Sequence, residues 1–243
     1  MTWAFQRVSE ERDGLTATAK QGGTRTTYLT EAALDGVDST EINGPTLSSE
    51  SVKTDNESYE YGKRIFDVFV SSALLILLAP LFLLIALLIR MSSPGPALFV
   101  QKRAGLNGRL FRMYKFRTMH CHAPRYEYSP RSPNDLRITS LGRLLRRTSL
   151  DELPQLLNVL LGQMSLVGPR PEMPFIVRRY NNHERQRLQV IPGITGLWQL
   201  SGARNYPIHE NLHHDLSYIQ HRTMCLDVAI LMHTLFFAMR GGI

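Results

Sequence analysis

The sequence predicts a helix-rich α+β protein that enters a membrane through a re-entrant helical hairpin and carries a small cytosolic domain containing a β-hairpin. Three observations predict it. A 22-residue apolar run at 68–89 is broken near its middle by Pro80. Two alternating segments, 98–103 and 110–117, flank an Asn107-Gly108 pair. Further on, apolar residues at 141, 144, 145, 150, 153, 156, 157, 160 and 161 recur at helical spacing around adjacent carboxylates, Asp151 and Glu152.

The predicted division is an acidic extension at 1–60, a membrane segment at 61–92 and a larger domain at 93–243. Residues 1–57 are rich in Ser, Thr, Gly and acids without a sustained apolar period, so they are expected to be mostly disordered. The first 60 residues hold 11 acidic and 5 basic residues, which leaves a net charge of −6 there and +13 on the rest. So basic a body predicts an anionic partner: nucleic acid, lipid headgroups or phosphorylated substrates. Nucleic acid fits least, because the apolar run gives no reason to tether such a reader to a bilayer.

As one straight helix, 68–89 would extend about 33 Å, enough for a hydrocarbon core of about 30 Å. Pro80 removes a central backbone hydrogen bond and favours a bend. Cations stand on both flanks, Lys63 and Arg64 before the run and Arg90, Lys102 and Arg103 after it, where a spanning helix would be asymmetric. Both features favour re-entry, with each end on the cytoplasmic side. A spanning helix stays open, since membrane helices tolerate proline. The run is internal, which argues against a signal peptide.

Ser93-Pro94-Gly95-Pro96 stops the helix, and a tight Asn-Gly turn is expected to join the two strands that follow. Lys115 and Arg117, two apart and so on one strand face, are candidates for phosphate contacts; the alternative is a basic hairpin that meets headgroups nonspecifically. Residues 120–133, with three prolines, read as a loop. His120-Cys121-His122 lacks a second ligand pair at metal spacing, and Cys225 is the only other cysteine, so reduced thiols are expected.

A helix must begin close to the acidic pair, because Pro154 has to fall among the unpaired first-turn donors. Asp151 as N-cap with Glu152 behind it satisfies this; so does Ser149 as N-cap with Glu152 as its capping-box partner. Either start keeps anions at a helix N-terminus, where a phosphate can also bind. A carboxylate so placed, with Arg146 and Arg147 one turn upstream, could attack phosphorus if a metal neutralised the charge. Plain helix capping is the bland alternative. Pro169-Arg170-Pro171 is too rigid for a helix or central strand and reads as a fixed turn presenting Arg170. Gly193, Gly196 and Gly202 around Trp198 read as close approaches of backbone to the core or to a nucleotide, with structure favoured. The apolar stretch 226–239, interrupted by Asp227 and His233, reads as an interfacial or a core helix.

Several segments together resemble the bacterial sugar transferase family, the monotopic phosphoglycosyl transferases. They are KRIFDV at 63–68, the proline-broken apolar run, LFVQKRAGLNGRLFRMYKFRTM at 98–119, ITSLGRLLRRTSLDELPQLLNVLLGQMSLVGPRPE at 138–172 and PGITGLWQLSGARN at 192–205. The resemblance covers residue 61 to the C-terminus, and the long segments occur in the family's order. One departure is Ala79-Pro80, where many members have Ser-Pro.

The resemblance implies a two-step transfer that initiates exopolysaccharide or glycoconjugate synthesis. The aspartate matching Asp151 attacks the β-phosphate of a UDP-sugar, UMP leaves, and polyprenol (undecaprenyl) phosphate takes the phosphosugar from the aspartyl group. It implies Mg2+ as cofactor with Glu152 as ligand, Arg146 near phosphate, and the Pro169-Arg170-Pro171 turn near the nucleotide. Lipid is then a partner, at the cytoplasmic face of the bacterial inner membrane, with no nucleic acid and with a homo-oligomer left open. The rivals are a noncatalytic membrane-anchored scaffold and a single-step transfer in which Asp151 only binds metal.

Overall fold

The computed structural model describes residues 16–21, 24–29, 57–127, 130, 132, 134–201 and 211–239. Its class is α+β, with helices predominating over three two-stranded pairings. Within the extension expected to be mostly disordered, Thr16–Gln21 (β1) and Thr24–Leu29 (β2) pair antiparallel, Thr16 opposite Leu29. Threonine's branched Cβ favours extended backbone, and a Gly-Gly pair lies between the strands in sequence. With so few apolar side chains, that alternation leaves no apolar period to read. The remainder of the extension lies outside the described residues.

Glu57–Leu77 (α1) and Ala79–Ser92 (α2) meet at Leu78 and are bent by 61°. Pro80 is the cause: it offers no N–H to Ile76, and its ring crowds that carbonyl. The bend forms with Ala79 ahead of the proline, so serine there is not required. No single described helix is long and apolar enough to cross a membrane, whereas the bent pair together has the length and composition.

The polarity of α1 is inverted for a water-soluble helix. Tyr59, Lys63, Asp67 and Ser71, four apart, are buried against the rest of the chain, while Phe69, Ile76 and Leu77 are each more than 70% exposed. Lys63 pairs with Asp227 at 2.6 Å, and Asp67 accepts the Leu166 backbone N–H at 3.1 Å. Arg64 donates to the carbonyls of Val159 and Leu160. Lys63 and Arg64, expected as flanking cations, are thus spent on internal contacts.

Leu98–Ala104 (β3) and Leu110–Phe116 (β4) form the expected antiparallel hairpin, Leu98 opposite Phe116. Its connection is longer than the two-residue turn expected. Residues 105–109 make the link, closed by the Gly105 N–H on the Arg109 carbonyl at 2.8 Å, with Asn107 (φ 52°) and Gly108 (φ 74°) both left-handed. Ile85 and Ile89 of α2 pack with Phe116 and Leu145, so the helix after the bend rests on the hairpin.

Ser140–Arg147 (α3) is capped by Thr139, whose hydroxyl accepts the Gly142 N–H at 2.9 Å. A Cβ on Gly142 would lie 2.0 Å from the Thr118 carbonyl oxygen, so glycine lets α3 touch down on the chain leaving β4. Ser149 then adopts φ 54°, Leu150–Glu152 forms a 3-10 turn, and Gln155–Leu160 (α4) follows. Ser165–Val167 (β5) runs parallel to Gly193–Thr195 (β6). Between them lie Pro174–Val177 (α5) and Asn182–Arg185 (α6); Leu197–Leu200 (α7), His213–His221 (α8) and Met224–Met239 (α9) complete the order.

The main core gathers Phe111 and Met113 of β4, Val159 of α4, Val167 of β5, Tyr218 and Ile219 of α8 and Ile230 of α9. α9 answers to both readings of its sequence, burying Asp227 and Ile230 while exposing Met232 and Leu235.

Candidate active site

Four segments converge on the acidic pair. The 3-10 turn after α3 brings Asp151 and Glu152, β4 brings Lys115, the last turn of α3 brings Arg146, and the link from β5 to α5 brings Arg170. Glu152 Oε1 accepts Lys115 Nζ at 2.6 Å and Arg170 Nη2 at 2.5 Å, and Oε2 accepts Arg170 Nη1 at 3.3 Å. Burial alone would raise the Glu152 carboxyl; Arg170 and Lys115 overcome it and hold that group well below the usual carboxylate range.

Asp151 has a different environment. It is 7% exposed and lines a cavity of about 470 Å³ shared with Lys115, Arg146, Arg103 and Gln101. Lys115 and Arg170 spend their hydrogen bonds on its neighbour. Burial first, and then the Glu152 charge, push the Asp151 carboxyl up to about 6 against the pull of Lys115, Arg146 and Arg170. Two adjacent carboxylates are driven apart: one fixed as an anion between cations, the other a buried group at the wall of a pocket.

Neither expected helix start is made. Asp151 sits inside the 3-10 turn, α4 begins after Pro154 without a side-chain cap, and Ser149, left-handed, caps nothing. The reason is electrostatic: the Glu152 carboxylate that would have met backbone N–H groups has two side-chain cations within reach.

Arg117, the other candidate on the hairpin, is held by backbone carbonyls. Its Nη2 donates to the Ser93 carbonyl (2.7 Å) and hydroxyl (2.8 Å), and its Nη1 to the Pro94 carbonyl (2.7 Å). Strand β4 ends at Phe116, and the Arg117 N–H goes to the Ala97 carbonyl, with Arg117 still on the wall of the cavity that Lys115 lines. It braces the exit of α2 while also lining the cavity that holds Asp151.

Pro169, Arg170 and Pro171 form a turn stacked on β5 and β6. A Cβ on Gly193 would lie 2.1 Å from the Gly168 amide nitrogen, so this glycine serves close backbone packing, the structural option of the sequence reading. Gly202 lies outside the described residues, as do 128, 129, 131 and 133 of the loop. Among the described residues no three His, Cys, Asp or Glu side chains cluster as a metal cage.

Sequence reasoning left Arg103 among the hairpin's surface cations. It is nearly buried, donates to the Pro171 carbonyl at 3.3 Å, pairs with Glu172 at 3.6 Å and lines the cavity. Period-two alternation with the observed register, Arg103 opposite Phe111 and Phe99 opposite Lys115, puts it on the Lys115 face. That signal was present in the sequence. A cavity lined by Arg103, Lys115, Arg117, Arg125, Arg137 and Arg146 around the buried Asp151 carboxylate suits a ligand carrying two or more phosphates.

A family model described as bacterial sugar transferase matches residues 58–241. The UDP-glucose:undecaprenyl-phosphate glucose-1-phosphate transferase of Caulobacter vibrioides is 43% identical over 180 residues, which cover 71% of this chain and 67% of that protein. The exopolysaccharide production protein ExoY of Rhizobium meliloti is 38% identical over 71% of this chain and 83% of its own length. The undecaprenyl-phosphate galactose phosphotransferase of Salmonella typhimurium is 38% identical over 73% of this chain. The chain spans only 40% of the length of that last relative.

Proposed function

This chain belongs to the bacterial sugar transferase family, and from that membership we propose that it moves a sugar 1-phosphate from a UDP-sugar onto undecaprenyl phosphate through a covalent aspartyl intermediate. In the first step an Asp151 carboxylate oxygen attacks the β-phosphorus, the bond from that phosphorus to the bridging oxygen breaks, and UMP departs. In the second, a phosphate oxygen of the polyprenol attacks the same phosphorus, which frees the Asp151 carboxylate and leaves a polyprenyl diphosphosugar. One diphosphate linkage replaces another, so the protein's task is positioning and charge neutralisation. Parking the phosphosugar on Asp151 also spares the site from holding a soluble nucleotide and a lipid at once.

The observation that carries this reading is the inequality of the two carboxylates. Glu152 is saturated by cations, while Asp151 faces the cavity with its carboxyl raised towards neutrality, where ionisation leaves a reactive rather than a hydrogen-bonded oxygen. Arg146, Lys115, Arg103 and Arg170 meet the incoming diphosphate. A Mg2+ ion, which needs only one or two protein carboxylates, would be compatible with such a site. Glu152 would be its protein ligand once Lys115 and Arg170 turn to phosphate, and the ion would supply further charge neutralisation.

The inverted polarity of α1 supports a lipid-facing setting, the bent α1–α2 pair a re-entrant one, at the cytoplasmic face where UDP-sugars are made. The ExoY name supports exopolysaccharide production, in which transfer onto undecaprenyl phosphate would be the opening step. A panel of UDP-sugars assayed for UMP release with undecaprenyl phosphate and Mg2+ tests the proposal. Turnover with at least one donor, together with an acid-resistant phosphosugar trapped on the wild-type protein and missing from Asp151→Asn, is expected. Turnover by Asp151→Asn at the wild-type rate would remove the intermediate.

A further inference from the structure

We propose that the buried Arg187–Asp215 ion pair is a positioning device for Arg170, holding the Pro-Arg-Pro turn so that the Arg170 guanidinium reaches Glu152; the proposal deepens the transferase reading and rests on it. Arg187 lies in the 3-10 turn Gln186–Gln189 and Asp215 on α8, and the two side chains are 1% exposed. Arg187 Nη2 and Nε donate to Asp215 Oδ2 at 2.6 and 3.1 Å, Nη1 donates to the Tyr180 hydroxyl at 2.7 Å, and Nη2 also donates to the Arg170 carbonyl at 2.7 Å. Neither residue lines the cavity.

The turn cannot hold itself. Pro169 and Pro171 have no N–H, so between Gly168 and Glu172 only Arg170 has a backbone donor. Every carbonyl from 169 to 172 is instead gripped from outside: Pro169 by the Gly193 N–H (2.9 Å), Arg170 by Arg187, Pro171 by Arg103 (3.3 Å) and Glu172 by the Ala104 N–H (3.0 Å). Two of these grips come from backbone and follow from the fold. The grip on Arg170 itself comes from a side chain that is costly to bury.

Stability alone does not call for that pair. Apolar residues of similar volume in place of a buried ion pair are often neutral or stabilising. What they could not supply is a donor to the Arg170 carbonyl. With its backbone fixed, Arg170 has only its side-chain torsions to settle before it reaches Glu152 at 2.5 and 3.3 Å. Asp215 and Tyr180 in turn leave the Arg187 fork one orientation. Influence therefore runs from Arg187 to the Arg170 backbone, to its guanidinium, to Glu152.

The test is a double-mutant cycle on the full chain in lipid nanodiscs, with Arg187→Lys and, as an apolar substitute, the Arg187→Met/Asp215→Leu pair, each made with and without Arg170→Ala. UMP release gives kcat and KM, and hydrogen exchange follows the amides of Gly168, Arg170 and Glu172. With Arg170 present, each change is expected to lower kcat/KM by about 10- to 100-fold and to speed exchange at 168–172 at least about tenfold. In the Arg170→Ala background the further loss should be within about twofold. An equal loss with and without Arg170, or unchanged exchange at 168–172 in folded variants, overturns the proposal. If the wild type releases no UMP from any donor, the transferase reading fails, while exchange still decides whether the ion pair holds the turn. Arg187→Lys keeps the charge, so it covers the case in which the apolar pair does not fold.

Discussion

At neutral pH Asp151 is ionised in a place that disfavours ionisation, since its carboxyl is raised to about 6 by burial and by the Glu152 charge. Raised above its unfolded value, the group binds more protons folded than unfolded between about pH 4 and 6, so stability falls as pH climbs through that window and stays lower above it. The cost at pH 7 is on the order of 2–3 kcal/mol. Asp151→Asn should therefore raise the melting temperature of the nucleotide-free, metal-free protein at pH 7, an advantage that shrinks as the buffer is taken down towards pH 4. UMP release by the same variant should drop about 10³-fold or more. In the wild type, kcat/KM for the donor should rise with pH through about 6 and then level, because the proposed attack needs Asp151 ionised in the free protein. A flat profile from pH 5 to 8, measured with donor well below KM, would contradict that. Asp151, Glu152 and Arg170 could be found in the sequence because each sits in a short motif of unusual composition, and Lys115 because alternation puts it on one face of β4. Arg187 and Asp215 could not: they are 28 residues apart, in segments whose pairing exists only once α8 has packed.

Elements were legible where one local rule governs them. Pro80 announces a bend regardless of what surrounds it, and alternation announces β3 and β4. The start of α4 was misjudged because capping rules treat a carboxylate as free to meet backbone donors, whereas Glu152 found Lys115, 37 residues away, at 2.6 Å. Arg117 lies one residue past the end of β4, where local rules say nothing of its partners. Its actual contacts join α2 to the hairpin through four hydrogen bonds with the segment 93–94 and the Cys121 sulfur. Arg117→Ala should accordingly lower stability by about 2–3 kcal/mol, the scale of lost charge-assisted bonds with carbonyls left unpaired. The KM for the UDP-sugar should stay within about threefold of wild type. A melting temperature unchanged from wild type with a KM raised tenfold would return Arg117 to the phosphate.

For the molecule as a whole, the arrangement of α1 and α2 makes a topological prediction. In sealed vesicles, cysteines at Ser58 and Ser92, in a background lacking Cys121 and Cys225, should react with a membrane-impermeant maleimide from the same side. Reaction from opposite sides would mean a spanning helix and would place the active site's two substrates differently. The inward stripe on α1 reaches further than topology. Asp227, on the last helix, is neutralised by Lys63 and hydrogen-bonded by Tyr59 at 2.9 Å, and Ile85 and Ile89 fill the space beside Phe116 and Leu145. Trimming the chain to begin after residue 92 would strip a counterion from a carboxylate already sealed from water and leave a trough beside Phe116 and Leu145. The two helices cannot be cut away as packaging; a less apolar surface calls for swapping the outward-facing leucines and phenylalanine of these helices while every inward residue stays.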